Sequence, residues 1–259
     1  MDVSTLLAID VGNTQTAIGV FKDDQLVHHW RISTDRDATA DEMAVILSDL
    51  MDLKQMAMQD ISHMAVSSVV PNCTSSLLEM AQDSLHIKPL IVGPGIKTGM
   101  PILYDNPHEV GADRIANAVA AFQRFKTAAI VVDFGTAITF DAISVKGEYL
   151  GGAIAPGIEI SAEALFSVAA KLSRVDLCKP DRVIGKNTES SVQSGLIFGF
   201  AGLVDAIVAK IRTEMKVDPK VIATGGFAPL IAPVCETIEE TDPFLTLVGL
   251  RIIHEMNAN

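Results

Sequence analysis

Two stretches, Leu6–Thr16 (LLAIDVGNTQT) and Ala129–Thr139 (AIVVDFGTAIT), share one design. In each stretch an apolar run ends in an aspartate, Asp10 or Asp133, and a glycine follows two residues later. The second stretch begins near the middle of the 259-residue chain. The repeat therefore predicts two halves of similar fold, each opened by one of these strands.

The predicted order of elements is the same in both halves. Each half begins with three strands joined by polar turns, an antiparallel meander, and helices then alternate with strands. This order predicts an α/β fold of two duplicated domains, residues 1–125 and residues 126–259, each a mixed sheet flanked by helices. The second domain has extra helical material between its third and fourth strands, with helices predicted over residues 158–172 and from about Val192 to Met215. Two such domains facing each other would enclose a cleft.

The composition restricts the possible partners and the compartment. Asp and Glu number 32 against 20 Lys and Arg, a net charge of −12, so the chain repels nucleic acid and anionic membranes. Cys73, Cys178 and Cys235 form no CxxC pair and indicate free thiols in a reducing cytosol. The N-terminus lacks the features of a signal peptide. The apolar run Gly195–Val204 is too short to span a bilayer and predicts a buried helix. We expect a cytoplasmic protein.

The two aspartate–glycine turns carry the residue types of a phosphate site. Glycine lets the backbone approach a phosphate closely, and Asn13, Thr14, Thr136 and Thr139 offer donors at the same ends of the strands. An aspartate at a strand end can hold a metal ion or its waters. The same residues also occur in ordinary hairpins. Because the turn occurs twice, half a chain apart, the pattern favours a phosphate-binding cleft.

The segment Gly111–Arg114, GADR, opens a predicted helix and has two interpretations. Asp113 can be the N-cap of the helix and complement its dipole, with Arg114 simply solvated. Alternatively, Asp113 is a general base and Arg114 binds an anion. The residues alone leave both interpretations open.

Three other groups of glycines could form a nucleotide-binding loop, a turn or a packing surface. Gly93–Gly99, GPGIKTG, lacks the glycine before the lysine and is a turn rather than a P-loop. Gly151–Gly157, GGAIAPG, is either a second nucleotide-contacting loop or a tight connection. Gly195, Gly199 and Gly202 share one face of a predicted helix, where glycine costs about 1 kcal/mol each relative to alanine. This face indicates close packing against another helix or another subunit.

With these motifs in place, the sequence resembles the type III pantothenate kinases, a family in the superfamily of acetate and sugar kinases, Hsp70 and actin. The matching blocks run in the family's order across almost the whole chain: DVGNT at Asp10, GADR at Gly111, DFGTAITFD at Asp133, GGAIAPG at Gly151, IGKNTESSVQSG at Ile184 and TGG at Thr224. The resemblance implies a duplicated ribonuclease H-like, actin-like ATPase fold. It also implies ATP-dependent phosphorylation of pantothenate, the first step of coenzyme A synthesis.

The resemblance implies roles for the residues at matching positions. The ATP contacts are Asp10, Val11, Gly12, Asn13, Thr14, Gln15, Thr16, Ala17 and Thr136. The pantothenate contacts are Tyr104, Gly111, Ala112, Asp113, Arg114 and Thr188, and Asp113 is also the catalytic proton acceptor. Asp133 is a monovalent-cation ligand, and Asp10 would hold Mg²⁺ through water. Ala17 replaces the glycine that usually closes the first ATP loop, which weakens that one contact.

The resemblance further implies a homodimer that needs ATP with Mg²⁺ and K⁺ or NH₄⁺. Bound cations fit motifs with almost no Lys or Arg, because phosphoryl transfer depends on positioning and charge neutralisation. Two alternatives remain: a phosphohydrolase of the same superfamily, and a nucleotide-sensing regulator without kinase activity. GADR together with Tyr104 argues against the first, and the acidic charge argues against a DNA-binding form of the second.

Overall fold

The computed structural model describes residues 4–169 and 172–258 of the chain. The strands of the first sheet are β1 (Thr5–Val11), β2 (Gln15–Lys22), β3 (Gln25–Ser33), β4 (His63–Ser68) and β5 (Leu90–Ile91). Their order is β3-β2-β1-β4-β5. The first three form the predicted antiparallel meander, and β4 pairs with β1 in parallel. β1 is therefore central, and its residues are buried on both faces of the sheet.

The second sheet repeats this plan. Its strands are β6 (Ala129–Phe134), β7 (Ala137–Ile143), β8 (Tyr149–Pro156), β9 (Lys220–Thr224) and β10 (Glu240–Thr241). The order is β10-β9-β6-β7-β8, with β6, β7 and β8 antiparallel and β9 parallel to β6. β6 thus occupies the place that β1 has in the first sheet. The two mixed sheets confirm the predicted duplication.

The helices follow the strands in the predicted order. They are α1 (Ala40–Asp52), α2 (Pro71–Met80), α3 (Ala112–Phe125), α4 (Ile158–Val168), α5 (Thr188–Met215), α6 (Ala228–Ile231) and α7 (Leu245–Asn257). A π-helical turn, Ala81–Leu85, extends α2, and 3₁₀ turns cover Met58–Asp60, Pro107–Glu109 and Ala232–Val234. α4 and α5 are the extra helical material predicted between the third and fourth strands of the second half.

Two helix ends differ from the sequence prediction for identifiable reasons. α5 begins at Thr188 rather than near Val192, because the Asn187 side chain accepts the Ser190 N–H at 2.7 Å and caps the helix there. α4 ends at Val168 rather than Leu172, because Ala169 is extended. Residues 170 and 171 lie outside the described part of the chain.

By their internal contacts the described residues form two compact units. The first comprises the chain up to Met100, Asn106–Ala120 and the chain from Leu245, and the second comprises Pro101–Asp105 and Ala121–Phe244. The domain boundary between residues 125 and 126 stays a prediction. The contacts group α7, which lies beyond that boundary, with the first unit. The reason is packing, because α7 lies against β1, β2 and β4.

Each unit has its own apolar core. In the first, alternate residues of β1, among them Leu7 and Ile9, pack with residues of α1 and α2. In the second, Val132 and Phe140 belong to a cluster that also contains residues of α5. Residues two apart in a strand share a face of the sheet, which explains why alternate strand residues belong to each core.

α5 is longer and less covered than the buried helix predicted around Gly195–Val204. By length and composition alone this helix of 28 residues would suffice to cross a membrane. Only 33% of its most apolar window is buried. The short apolar run is thus one part of a long helix whose large apolar side chains, such as Leu196 and Ile211, pack on the core, whereas its exposed positions are mostly small residues such as Gly199.

Candidate active site

The first aspartate–glycine turn joins β1 to β2. The Gly12 N–H donates to the Gln15 carbonyl oxygen at 3.0 Å, and a Cβ added at Gly12 would lie 2.9 Å from that oxygen. The close approach requires glycine. Asn13, Thr14 and Gln15 are exposed at the tip of the turn. The turn therefore presents backbone and side-chain donors to solvent, as a phosphate site requires.

The remaining predicted ATP contacts of this segment lie in the strands. Val11 is buried in the core of the first unit, so its contribution to a ligand would come from its backbone. Thr16 is also buried, and its hydroxyl is 2.9 Å from that of Thr34. Ala17 pairs with Asp10 across the hairpin. These three residues support the turn rather than form its tip.

Asp10 is held by a residue that the sequence analysis missed. The Ser67 hydroxyl donates to Asp10 Oδ1 at 2.5 Å. The two residues are direct neighbours in the parallel pairing of β1 with β4, and Ser67 is completely buried. This contact fixes one carboxylate oxygen, so Asp10 is oriented before any ligand binds.

Two arginines from outside the motif adjoin the first turn, although the motif itself contains no Lys or Arg. Arg36 Nη2 donates to Asn13 Oδ1 at 3.2 Å, and Arg31 donates to Gln15 Oε1 at 3.2 Å. Both follow from strand pairing, because β3 lies beside β2 and ends next to the turn. The predicted meander contained this signal, since its register places the end of the third strand at the start of the second.

Thr34 connects the end of β3 to the same turn. Its N–H donates to the Thr14 carbonyl at 2.9 Å, and its hydroxyl donates to the Gly12 carbonyl at 2.8 Å. The turn is therefore held by Thr34 of the neighbouring strand end as well as by the hydrogen bond between Gly12 and Gln15. A turn braced in this way keeps its N–H groups in fixed directions, which favours binding of a charged ligand.

The second aspartate–glycine turn joins β6 to β7 and is one residue shorter. The Gly135 N–H donates to the Ala137 carbonyl at 3.1 Å, and Thr136 is exposed at the tip. Below it, the Gly157 N–H donates to the Thr136 carbonyl at 3.0 Å. A Cβ at Gly157 would collide with the Thr136 carbonyl and lie 2.6 Å from the Gly135 oxygen. Of the two interpretations of GGAIAPG, the structure supports a tight connection for this last glycine.

Asp133 has surroundings that parallel those of Asp10. A hydroxyl residue, Thr224, is its direct neighbour on the parallel strand β9, as Ser67 is for Asp10 on β4. The next residue, Gly225, has a φ of +92°, and an added Cβ would collide with the Asp133 carboxylate and lie 2.6 Å from backbone atoms of Phe134. The TGG motif therefore provides a close backbone approach to this carboxylate.

The GADR segment forms the first turn of α3. The helix begins at Ala112, so the prediction that Asp113 is the N-cap is wrong: it lies within the first turn, where its Oδ1 accepts the Arg114 N–H at 2.9 Å. Arg114 is only 8% exposed, which contradicts the interpretation that it is simply solvated. Gly249 of α7 packs on the same helix, where an added Cβ would meet the Ala116 carbonyl. Both close packing and helix geometry fix the orientation of this segment.

Tyr104 and Thr188 belong to the second unit. Tyr104 is half-buried, and its ring centroid is 6.4 Å from that of Tyr149. Thr188 is exposed as the first residue of α5. The predicted site residues are thus distributed over both units. The first unit carries Asp10–Ala17 and Gly111–Arg114, and the second carries Tyr104, Asp133, Thr136 and Thr188.

The donor groups fit a metal that is bound largely by its substrate. Among residues 4–169 and 172–258, no three His, Cys, Asp or Glu side chains cluster in a way that could hold an ion. Mg²⁺ is usually bound through one or two carboxylates together with substrate phosphates and waters. A single oriented carboxylate at Asp10, beside a turn suited to phosphate, matches that mode.

The sequence is similar to proteins of one known family. A type III pantothenate kinase family model matches residues 6–210. A type III pantothenate kinase of Geobacter sp. (strain M21) is 55% identical over 252 residues, covering 97% of this chain and 99% of the relative.

Solved structures are similar in fold alone. The ethanolamine utilization protein EutJ from Carboxydothermus hydrogenoformans covers 98% of this chain and 91% of its own, at 13% identity and a TM-score of 0.59. A ROK family glucokinase from Streptomyces griseus, solved with glucose and AMPPNP, covers 98% and 99%, at 11% identity and a TM-score of 0.54. The two five-stranded mixed sheets and this sugar-kinase neighbour confirm the duplicated ribonuclease H-like, actin-like fold. Because the family model spans most of the sequence and the Geobacter relative matches nearly all of it, the chain belongs to the type III pantothenate kinase family.

Proposed function

We infer that this protein catalyses the ATP-dependent phosphorylation of pantothenate to 4′-phosphopantothenate, the first step of coenzyme A synthesis. The observation that carries the inference is the 55% identity over 97% of the chain to a type III pantothenate kinase. The duplicated aspartate–glycine turns support it, because each presents groups suited to a phosphate at the end of a central strand.

We assign the binding roles as follows. ATP is bound by the turn Asp10–Ala17 and by Thr136, and Asp10 holds Mg²⁺ through water. Pantothenate is bound by Tyr104, Gly111–Arg114 and Thr188. Arg36 stands beside Asn13 at the first turn and adds a positive charge there. The divalent ion, when bound, neutralises charge on the phosphates during transfer.

Asp113 is assigned as the general base. The alcohol of pantothenate must lose its proton as it attacks the γ-phosphorus, and a carboxylate within hydrogen-bond reach can accept that proton. One Asp113 oxygen accepts the Arg114 N–H, which orients the carboxylate at the start of α3. Arg114 is the next residue in the chain and is buried. Its guanidinium supplies a cation suited to the pantothenate carboxylate.

A coupled ADP-release assay tests this function. We expect ADP release that depends on pantothenate and on Mg²⁺. ADP release without pantothenate would instead indicate a superfamily phosphohydrolase. ATP binding without any turnover would indicate a nucleotide-sensing regulator.

We also propose that the protein is cytoplasmic. Its proposed partners are small molecules and a second copy of the chain. The acidic charge supports this proposal, because such a surface repels nucleic acid and anionic membranes.

Activity is expected to require K⁺ or NH₄⁺ bound with the help of Asp133. ATP adds several negative charges to a chain whose net charge is −12, and Asp10 and Asp133 both lie at turns proposed to face it. A monovalent cation at Asp133 offsets part of this charge. The measurement is a KCl titration in Tris buffer at constant ionic strength, in which activity should rise from a low basal value.

Variants locate this cation. Asp133→Ala should weaken the response to K⁺, whereas Asp218→Ala, which removes a 92% exposed carboxylate of the same unit, should leave it unchanged. Full activity without K⁺ or NH₄⁺ would refute the requirement. An unchanged K⁺ response in Asp133→Ala would place the cation elsewhere.

The protein is expected to form a homodimer that packs partly through α5. An added Cβ at Gly195, Gly199 or Gly202 would meet no atom within 4 Å, so this glycine face is open. The three glycines are themselves exposed, and only 33% of the most apolar window of α5 is buried within the chain. Sedimentation velocity at micromolar concentration should show a dimer, and Gly199→Leu should weaken it. Gly93→Leu, a substitution at another open glycine, should not. A wild-type monomer would contradict the proposal, and a dimer insensitive to Gly199→Leu would place the interface elsewhere.

A further inference from the structure

The segment Pro101–Asp105, which contains Tyr104, is tied to the second unit through the backbone of one residue. The Tyr149 N–H donates to the Pro101 carbonyl at 2.8 Å, and the Leu103 N–H donates to the Tyr149 carbonyl at 2.8 Å. Ile102 bridges to Tyr149 in parallel. Two residues just before Tyr104 in the chain, Pro101 and Leu103, are thus hydrogen-bonded to the backbone of Tyr149.

The side chain of Tyr149 is fixed by a buried carboxylate. Its hydroxyl donates to Asp141 Oδ1 at 2.6 Å, and both residues are completely buried. The Thr139 hydroxyl lies 3.4 Å from the other Asp141 oxygen. Burying a carboxylate is expensive unless it is hydrogen-bonded. A phenylalanine at position 149 would fill almost the same space. The hydrogen bond between Tyr149 and Asp141 therefore fixes the orientation of the Tyr149 side chain and adds little to packing.

The start of β8 is shaped to bring Tyr104 close. A bulge in the pairing of β7 with β8 leaves Leu150 without a partner in the register, and bulges redirect side chains. Gly151 follows with a φ of +119°, which favours glycine. Two ring carbons of Tyr104 lie 3.5 Å from the position of a Cβ at Gly151. The Tyr104 ring therefore packs on the bulge that Tyr149 begins.

We propose that the Tyr149–Asp141 hydrogen bond positions Tyr104 for pantothenate. Asp141 fixes the Tyr149 side chain, Tyr149 fixes the backbone of Pro101–Asp105, and that segment presents Tyr104. Tyr149 and Asp141 are positioning residues, since they act through Tyr104. The inference rests on the proposed function, in which Tyr104 contacts the substrate.

Kinetics test the first consequence. In Tyr149→Phe the KM for pantothenate should rise about tenfold, equivalent to about 1.4 kcal/mol, while the KM for ATP changes less than about twofold. Asp141→Ala should behave in the same way. Asp141→Asn retains an acceptor oxygen for the Tyr149 hydroxyl and should restore a KM near the wild-type value. Ser144→Ala is the matched control, because it removes hydrogen bonds to Glu148 within the same hairpin and should leave the KM for pantothenate unchanged.

A spectroscopic measurement tests the link without activity. The chain has two tyrosines, Tyr104 and Tyr149, so incorporation of 3-fluorotyrosine should give two ¹⁹F resonances. Tyr149→Phe leaves only the Tyr104 resonance and keeps an aromatic ring at position 149. We expect the Tyr104 resonance to shift or broaden in Tyr149→Phe and in Asp141→Ala, but not in Ser144→Ala.

The outcomes separate the two proposals. A Tyr104 resonance and a pantothenate KM unchanged in a folded Tyr149→Phe protein would overturn the positioning role. A Tyr104 resonance that moves equally in Ser144→Ala would overturn it too, because the effect would then be general loosening of the hairpin. If the resonance moves as expected but the wild-type protein does not phosphorylate pantothenate, the link between the residues holds and the proposed function fails.

Discussion

Asp113→Asn should lower kcat by about 10²–10⁴-fold, the usual contribution of a general base. The substitution removes the basic carboxylate but keeps an oxygen that can accept the Arg114 N–H, the contact seen at 2.9 Å. Helix α3 should therefore still begin at the same place, and stability should change little. The measurement is steady-state kinetics with pantothenate, accompanied by thermal unfolding of both proteins.

A second aspartate in a helix start provides the matched control. Asp41 lies in the first turn of α1, so Asp41→Asn also removes a favourable charge from a helix N-terminus. This variant should retain wild-type kcat. An Asp113→Asn enzyme with near wild-type kcat would show that Asp113 is only a helix-stabilising residue. A large loss of stability in Asp113→Asn would assign its effect to folding rather than to proton transfer.

Gly249→Ala should destabilise the first unit by about 3 kcal/mol, at the upper end of what overpacking usually costs. An added Cβ would meet the Ala116 carbonyl of α3 and lie 2.5 Å from its carbon. Neither backbone can yield without separating α7 from α3. Alanine favours a helix over glycine by about 1 kcal/mol, so helix propensity alone predicts the opposite sign.

Trp30 gives a direct measurement of this effect. It is the single tryptophan of the chain and lies in β3 of the first unit. The urea midpoint of its fluorescence should fall in Gly249→Ala with an unchanged slope, which indicates a change in stability alone. Gly93→Ala, at an open glycine of the same unit, should keep the wild-type midpoint. An unchanged or higher midpoint in Gly249→Ala would show that the two helices tolerate the methyl group.

Local sequence patterns predicted much of the fold. Period-two alternation and polar turns located both meanders, and the repeated aspartate–glycine turn identified the central strands β1 and β6. These features depend on neighbours in the chain, which explains why they could be read directly. The very short strand Glu240–Thr241 was missed, because two exposed residues carry no periodicity.

The contacts of the site were harder to predict, because they join distant parts of the chain. Ser67 meets Asp10 through the register of two parallel strands, and register across a crossover is set by packing of the whole sheet. Arg36 reaches Asn13 from the end of the meander. Helix α7 covers β1, β2 and β4 although it follows the second unit in the chain, and no local pattern specifies which sheet a helix covers.

The position of α7 in the chain has a consequence for biosynthesis. Most of the first unit precedes the second in the chain, yet the helix that covers β1, β2 and β4 is translated only after the second unit. At usual elongation rates the ribosome needs on the order of 10 s to pass from Met100 to Leu245. Throughout that interval the nascent first unit exposes the apolar surface that α7 covers in the folded protein. A ribosome that stops before Leu245 releases a chain in which the later unit is complete and the earlier one is not.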